Sequence, residues 1–158
     1  VSAETARYAA PDVQVLGELA GVADETQDLV FCSNFFEHLP DKATMGRMLD
    51  EIGRVLRPAG RLMILQPNIK YLYADYWDFF DHHLPLSHLS MIEALAAHGF
   101  ETRIVIPRFM PFTTKSALPK ADFLVRAYLL CRLAWRLLGR QMFILAEKEP
   151  AQKQGTPA

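Results

Sequence analysis

Cysteine is scarce: Cys32 and Cys131 are the only two in 158 residues. Two distant thiols cannot make a disulfide framework. Both sit within apolar runs, so buried thiols and a reducing, cytoplasmic setting are expected. A basic excess is also lacking. The net charge is −1, unlike the positive surplus of an electrostatic nucleic-acid binder, so no nucleic-acid partner is expected. The opening residues have neither the basic n-region nor the apolar h-region of a signal peptide. The longest apolar stretch, Ala121 to Leu138, is interrupted by Arg126, Arg132 and Arg136, which argues against a membrane span. What is present is ordinary globular material, 51% apolar and 22% charged, in a length sufficient for one domain with its own core.

The apolar segments alternate in kind. Asp12 to Leu16 alternates as a short strand would, and residues 17–27 read as a polar loop. Leu29 to Ser33 is an unbroken run of strand formers, which predicts a central strand covered on both faces. Asp41 is placed to cap a helix in which Met45, Leu49, Ile52 and Leu56 share one face, and Pro58-Ala59-Gly60 stops it. Arg61 to Gln66 is a second strand. Asn68 to Pro85 is aromatic, acidic and without period, a long connection of the kind that often carries function. Ser87 or Ser90 caps a helix bearing Leu89, Ile92, Leu95 and Ala96. Gly99 is its expected left-handed stop, and Glu101 to Ile106 is a strand bounded by Pro107. A loop, 108–119, leads to one long helix over about 120–138, ended by Gly139. Gln141 to Glu147 is the last strand, and residues 150–158 are a polar tail expected to be disordered. The order strand, helix, strand, helix, strand, helix, strand predicts an α/β fold with a mainly parallel sheet.

Particular residues give a sharper indication. Asp28-Leu29-Val30-Phe31-Cys32-Ser33-Asn34-Phe35-Phe36-Glu37-His38-Leu39 resembles the fourth strand and following turn of class I S-adenosylmethionine-dependent methyltransferases, which run roughly "DLV…S/N…EHL". The segment Arg54-Val55-Leu56-Arg57-Pro58-Ala59-Gly60 is similar to the family's "RVLRPGG". Gly99-Phe100 is similar to the "GF" before the sixth strand, and Ala146-Glu147-Lys148 to the end of the seventh. The resemblance covers residues 11–149. It implies a Rossmann-like sheet of seven strands whose last strand is antiparallel, with S-adenosyl-L-methionine over the carboxyl ends of the first four.

Two family features are not found. The eight glycines stand at 17, 21, 46, 53, 60, 99, 139 and 155, none paired as in the family's E/D-x-G-x-G turn. The acidic residue that binds the ribose hydroxyls is also not found. The domain, 1–149, therefore reads as a partial one, truncated at its N-terminus and carrying strands three to seven. Backbone approach to the methionine part of the cofactor and charge-assisted bonds of ~1.5–3 kcal/mol each would both be lost. Weak or no cofactor binding by the chain alone is expected, with the strand at Leu29 to Ser33 left as an open edge.

The resemblance also places candidate site residues. Gly17-Glu18-Leu19 stands where the family's "GDA" segment contacts adenine. Ser33, Asn34 and Phe35 follow the fourth strand, where cofactor and substrate meet. His38 is a candidate base toward a hydroxyl or amine, against a structural role for Glu37-His38 in the turn. Asp81-His82 is similar to the family's "DH", with Asp81 orienting His82 as a base. Tyr73, Tyr76 and Trp77 offer flat apolar surface to an acceptor. Asp81, His82, His83 and His88 do not have standard ligand spacing, and no metal is assigned. Methyl transfer requires chiefly alignment, so the scarcity of obvious bases does not argue against it.

The 121–138 segment carries Arg126, Arg132 and Arg136 on a helix otherwise rich in Phe, Leu and Trp. Burial against the sheet plus a homodimer contact is one reading. Peripheral membrane contact toward a lipid-linked acceptor is the other. The function expected is methyl transfer to an O, N or C nucleophile of a small-molecule or lipid-linked acceptor; the alternative is a non-enzymatic oligomerisation or scaffold module.

Overall fold

The computed structural model describes residues 18–112 and 122–150. The expected strand at 12–16 and the polar tail from 151 lie outside them. Four strands form one sheet: β1 (Gln27–Ser33), β2 (Leu56–Pro67), β3 (Phe100–Met110) and β4 (Gln141–Lys148). Their spatial order is β1-β2-β4-β3. β1 and β2 are parallel, and β4 runs antiparallel to both β2 and β3. Three strands therefore share a direction, and the last opposes them, as the resemblance implied.

Helix α1 (Lys42–Val55) starts where the sequence places it, because the Asp41 side chain accepts from the Thr44 N–H at 2.6 Å. Its face of Met45, Leu49 and Ile52 packs on Leu62 and Ile64 of β2 and on Met142, Ile144 and Ala146 of β4. Alternation along β2 and its register with β4, in which Leu62 pairs with Ala146 and Ile64 with Ile144, put these side chains on one sheet face. A short helix, α2 (Ile69–Leu72), opens the long connection. Helix α3 (His88–Ala97) then begins at a capping box between Ser87 and Ser90. It closes at Gly99, whose φ of 76° is the left-handed conformation expected there.

Several expectations are corrected. β1 is an edge strand among the described residues, as the truncated reading implied, and not the strand covered on both faces that its unbroken apolar run predicts; Leu29 and Phe31 are exposed. β2 begins at Leu56, before the Pro58-Ala59-Gly60 stop: Gln27 pairs with Leu56 and Leu29 with Arg61, so the proline-glycine excursion is accommodated as a register shift. α3 buries His88, Met91 and Leu95 rather than Leu89 and Ala96. β3 continues through Pro107, because it is an edge strand with a register shift between Ile106 and Met110, where a missing N–H does no harm.

The helix expected over 120–138 is two helices, α4 (Asp122–Leu130) and α5 (Arg132–Leu138). Cys131 breaks them with extended backbone. The Tyr128 carbonyl accepts from the Cys131 N–H at 3.0 Å and from the Trp135 indole at 2.8 Å, and this side-chain bond competes with a continuous helical ladder. Neither helix contains a buried residue; Trp135 packs against Phe109 of β3 with ring centres 5.0 Å apart, and most of the remaining apolar surface is exposed. Cys131 is exposed rather than buried, and Cys32 is half-buried. No helix among the described residues is long and apolar enough to cross a membrane.

Candidate active site

The carboxyl end of β1 carries two adjoining features. The first is a cavity of about 440 Å³. Glu18, Leu19 and Val22 line one side, Val30, Cys32, Ser33 and Phe35 the other, with Met48 and Ile52 of α1 contributing as well. Four of the five expected cofactor residues, Glu18, Leu19, Ser33 and Phe35, thus meet in one place. Asn34 turns the chain beside them with φ 46°, a conformation asparagine tolerates, and its N–H donates to the Leu65 carbonyl at 2.8 Å. Gly17 lies outside the described residues.

Arg54 holds the outer wall of this cavity. Its guanidinium donates to the carbonyls of Leu19 and Val22 at 3.1 and 2.9 Å and to the carboxylates of Asp24 and Glu51. One side chain therefore fastens the 19–24 loop to α1. Sequence reasoning marked Arg54 only as part of a resemblance; its tethering role depends on contacts thirty or more residues apart in sequence.

The second feature follows directly along the chain. A single turn, Phe36–His38, places Glu37 inside and His38 outward. The Glu37 main-chain carbonyl accepts from the N–H groups of His83 and Leu84 at 2.8 and 3.1 Å. That pair draws the distant loop against the turn and brings His38, Asp81 and His82 together. His38 Nδ1 lies 3.0 Å from the Asp81 carbonyl and 3.3 Å from its carboxylate. The His38 and His82 rings are 5.2 Å apart.

The expected pairing is altered in detail: Asp81 faces His38, while His82 Nδ1 meets the Tyr76 carbonyl at 3.0 Å. Aromatic neighbours Tyr76 and Phe79 enclose His82, and that burial depresses its pKa. Glu37 is 1% exposed, and neither carboxylate oxygen has a hydrogen-bond partner among the described residues. Burial pushes its pKa up. Its apolar neighbours Phe35 and Phe36 were the one sequence signal for that burial.

The aromatic loop divides. Tyr73 and Trp77 are exposed. Tyr76 does not offer a ring to an acceptor: it is fully buried, and its hydroxyl donates to the Leu84 carbonyl at 2.7 Å. Desolvation raises its pKa. A further cavity of about 410 Å³, between Tyr71, Arg108, Arg132, Trp135 and Arg136, was not anticipated. In it the Arg108 guanidinium stands 5.0 Å from the centre of the Tyr71 ring.

The comparisons bear on this geometry. The sequence model of the methyltransferase domain family matches residues 2–64. A SAM-dependent methyltransferase from Archaeoglobus fulgidus superposes with a TM-score of 0.64 at 18% identity, over 93% of this chain and 73% of that one. The fold is that of the class I methyltransferases. A Haloferax volcanii protein solved with the Trm112 methyltransferase activator has a TM-score of 0.64 at 17% identity, over 92% of this chain and 66% of the other. A SAM-dependent methyltransferase from Methanosarcina mazei has a TM-score of 0.59 at 15% identity, over 93% and 76%. No curated protein sequence matches the chain.

S-adenosyl-L-methionine is the cofactor that the likeness to methyltransferases implies, and the described residues fit part of it. The first cavity has apolar walls and a carboxylate at its rim, which suit a purine. Among the described residues, its polar side-chain groups besides Glu18 are the Ser33 hydroxyl and the Cys32 thiol. Among the described residues it offers no second carboxylate for the ribose hydroxyls and no closely spaced glycine pair for the methionyl end.

Proposed function

We propose that this methyltransferase domain directs methyl transfer to an O, N or C nucleophile of a small-molecule or lipid-linked acceptor. One observation carries the reading. The cavity of Glu18, Leu19, Ser33 and Phe35 and the cluster of His38, Asp81 and His82 are joined by consecutive residues at the carboxyl end of one strand. In open α/β sheets that edge is where ligands sit.

Glu18, Leu19, Ser33, Asn34 and Phe35 hold the purine end of the cofactor, with Arg54 fixing Leu19 through its carbonyl. The cofactor supplies a methyl group already activated on a sulfonium. His38 has Nδ1 occupied by Asp81, so its Nε2 takes the acceptor proton, while His82 and its aromatic surround exclude water. Tyr73 and Trp77 receive an apolar acceptor. These 158 residues alone bind the cofactor weakly, because among the described residues only its purine end finds partners.

The exposed apolar faces of α4 and α5 favour an acceptor carried by an anionic membrane. Phe123, Leu130, Leu133 and Leu137 are exposed, while Arg126, Arg132 and Arg136 supply positive charge against the single acid Asp122. A second copy brought face to face would oppose arginine with arginine. The open edge of β1 is the place for homodimer pairing.

Isothermal titration with S-adenosylhomocysteine tests the cofactor reading. Binding weaker than micromolar, abolished by Leu19→Asp, is expected; micromolar affinity or indifference to Leu19→Asp contradicts it. Sedimentation with vesicles tests the acceptor class. Binding that requires anionic lipid and is lost in Leu130→Glu/Leu133→Glu supports it; no vesicle binding, or a dimer abolished by the same change, overturns it.

A further inference from the structure

Glu37 presents a problem that methyl transfer does not solve. Its carboxyl group is buried and, among the described residues, both oxygens are unpartnered. A buried polar group without a partner is costly and uncommon. Its nearest functional neighbours are two histidines, and one donor atom from each of Glu37, His38 and His82 lies within 4.8 Å of the others.

The two rings are tethered alike. His38 Nδ1 faces the Asp81 carbonyl and His82 Nδ1 faces the Tyr76 carbonyl, each at 3.0 Å. A carbonyl only accepts, so in each neutral ring Nδ1 carries the hydrogen and Nε2 the lone pair. Metal-binding histidines are fixed in the same way, the second ring nitrogen donating to a carbonyl or carboxylate. Here the Asp81 carboxylate adds to the orientation of His38.

We infer that Glu37, His38 and His82 form a binding site for a divalent transition-metal ion, with zinc the expected occupant. Two imidazoles and one carboxylate are an established donor set for such ions, leaving a position open to water or to an acceptor group. Zinc–nitrogen bonds of ~2.0–2.1 Å place tetrahedral donors ~3.4 Å apart, so donors now within 4.8 Å of one another close by at most ~1.4 Å on binding. The ion gives the buried carboxylate its partner. With the ion bound, His38 Nε2 is a ligand, and activation of an acceptor hydroxyl passes from the histidine to the metal. Ion binding itself does not rest on the methyl-transfer reading. The sequence concealed the site because Glu37-His38 and His82 are separated by a long connection and match no ligand spacing.

The test is calorimetric titration of the full chain with zinc chloride, both cysteines replaced by serine to remove thiol ligands. About one ion per chain is expected, with affinity falling at least about tenfold in His38→Asn and in Glu37→Gln and unchanged in His83→Asn. His38 is at the surface, so His38→Asn keeps the fold, as far-UV circular dichroism would verify. Cobalt substitution gives a second readout that needs no variant: a tetrahedral d–d spectrum without a thiolate charge-transfer band. Failure to bind zinc, or binding indifferent to His38→Asn, overturns the site. Because S-adenosylhomocysteine binding is measured separately, loss of one reading leaves the other standing.

Discussion

His38 Nδ1 lies 3.0 Å from the main-chain carbonyl of Asp81. The contact joins the turn after β1 to the far end of the connection after β2, and the candidate chemistry is assembled between them. It depends on the loop being folded inward, and the loop's inner residues give direct ways to test that arrangement.

Tyr76 is the internal support of the loop. Tyr76→Phe leaves the Leu84 carbonyl without its donor and is expected to cost about 1–3 kcal/mol. Tyr73→Ala, at an exposed ring, is expected to change stability by no more than about 0.5 kcal/mol. Urea unfolding of the two variants measures both. Equal effects would mean that Tyr76 is not buried.

Gly99 adopts a left-handed backbone conformation at the end of α3. Gly99→Ala is expected to destabilise the fold by about 1–2 kcal/mol, seen as a lower urea midpoint with unchanged slope. An unaltered midpoint would place that residue in an ordinary conformation.

The thiols should differ in reactivity. Burial pushes the Cys32 pKa up to about 11, and Cys131 is exposed. Since the thiolate is the reacting form, iodoacetamide at mildly alkaline pH is expected to label Cys131 at least about tenfold faster than Cys32. Mass spectrometry of the time course distinguishes them. Comparable rates would show that β1 is open on the face carrying Cys32.

His88 makes stability depend on pH. Burial, with a smaller contribution from Lys70, depresses its pKa below the ordinary 6.5. The Asn68 amide donates to its Nδ1 at 3.1 Å, a bond that needs the neutral ring. A depressed folded-state value means that the unfolded chain binds the proton first. The stabilising contribution is therefore complete above pH 6.5 and is lost as pH falls through the lower folded value. Thermal melts should fall below that point, and the fall should be smaller in His88→Gln. An identical acid response in the variant would remove His88 as a cause.

What the sequence revealed, and what it hid, follows from the range of the interactions involved. The caps at Asp41 and Ser87, the stop at Gly99 and the alternation of strands and helices are local, and each appears in the structure. The break at Cys131 depends on the Trp135 indole reaching the Tyr128 carbonyl, and no periodicity announces it. β3 runs through Pro107 because it is an edge strand, a fact of sheet order rather than of the segment. At the candidate site, Glu18, Leu19, Ser33, Phe35, His38, Asp81 and His82 were all picked out with the help of the resemblance, and the structure brings the first four together in one cavity and the last three in one cluster. The partner of each histidine was not legible, because it is set by the Glu37 carbonyl drawing in His83 and Leu84. The isolation of the Glu37 carboxylate belongs to the same long-range packing.

The placement of the cofactor at the carboxyl end of β1 is tested most directly by amide chemical-shift mapping of the labelled chain with S-adenosylhomocysteine, a method that also detects weak binding. The largest shifts are expected at Glu18, Leu19, Ser33, Asn34 and Phe35. Shifts centred instead on Tyr71, Arg108 and Trp135, or a spectrum that does not respond at all, would contradict it.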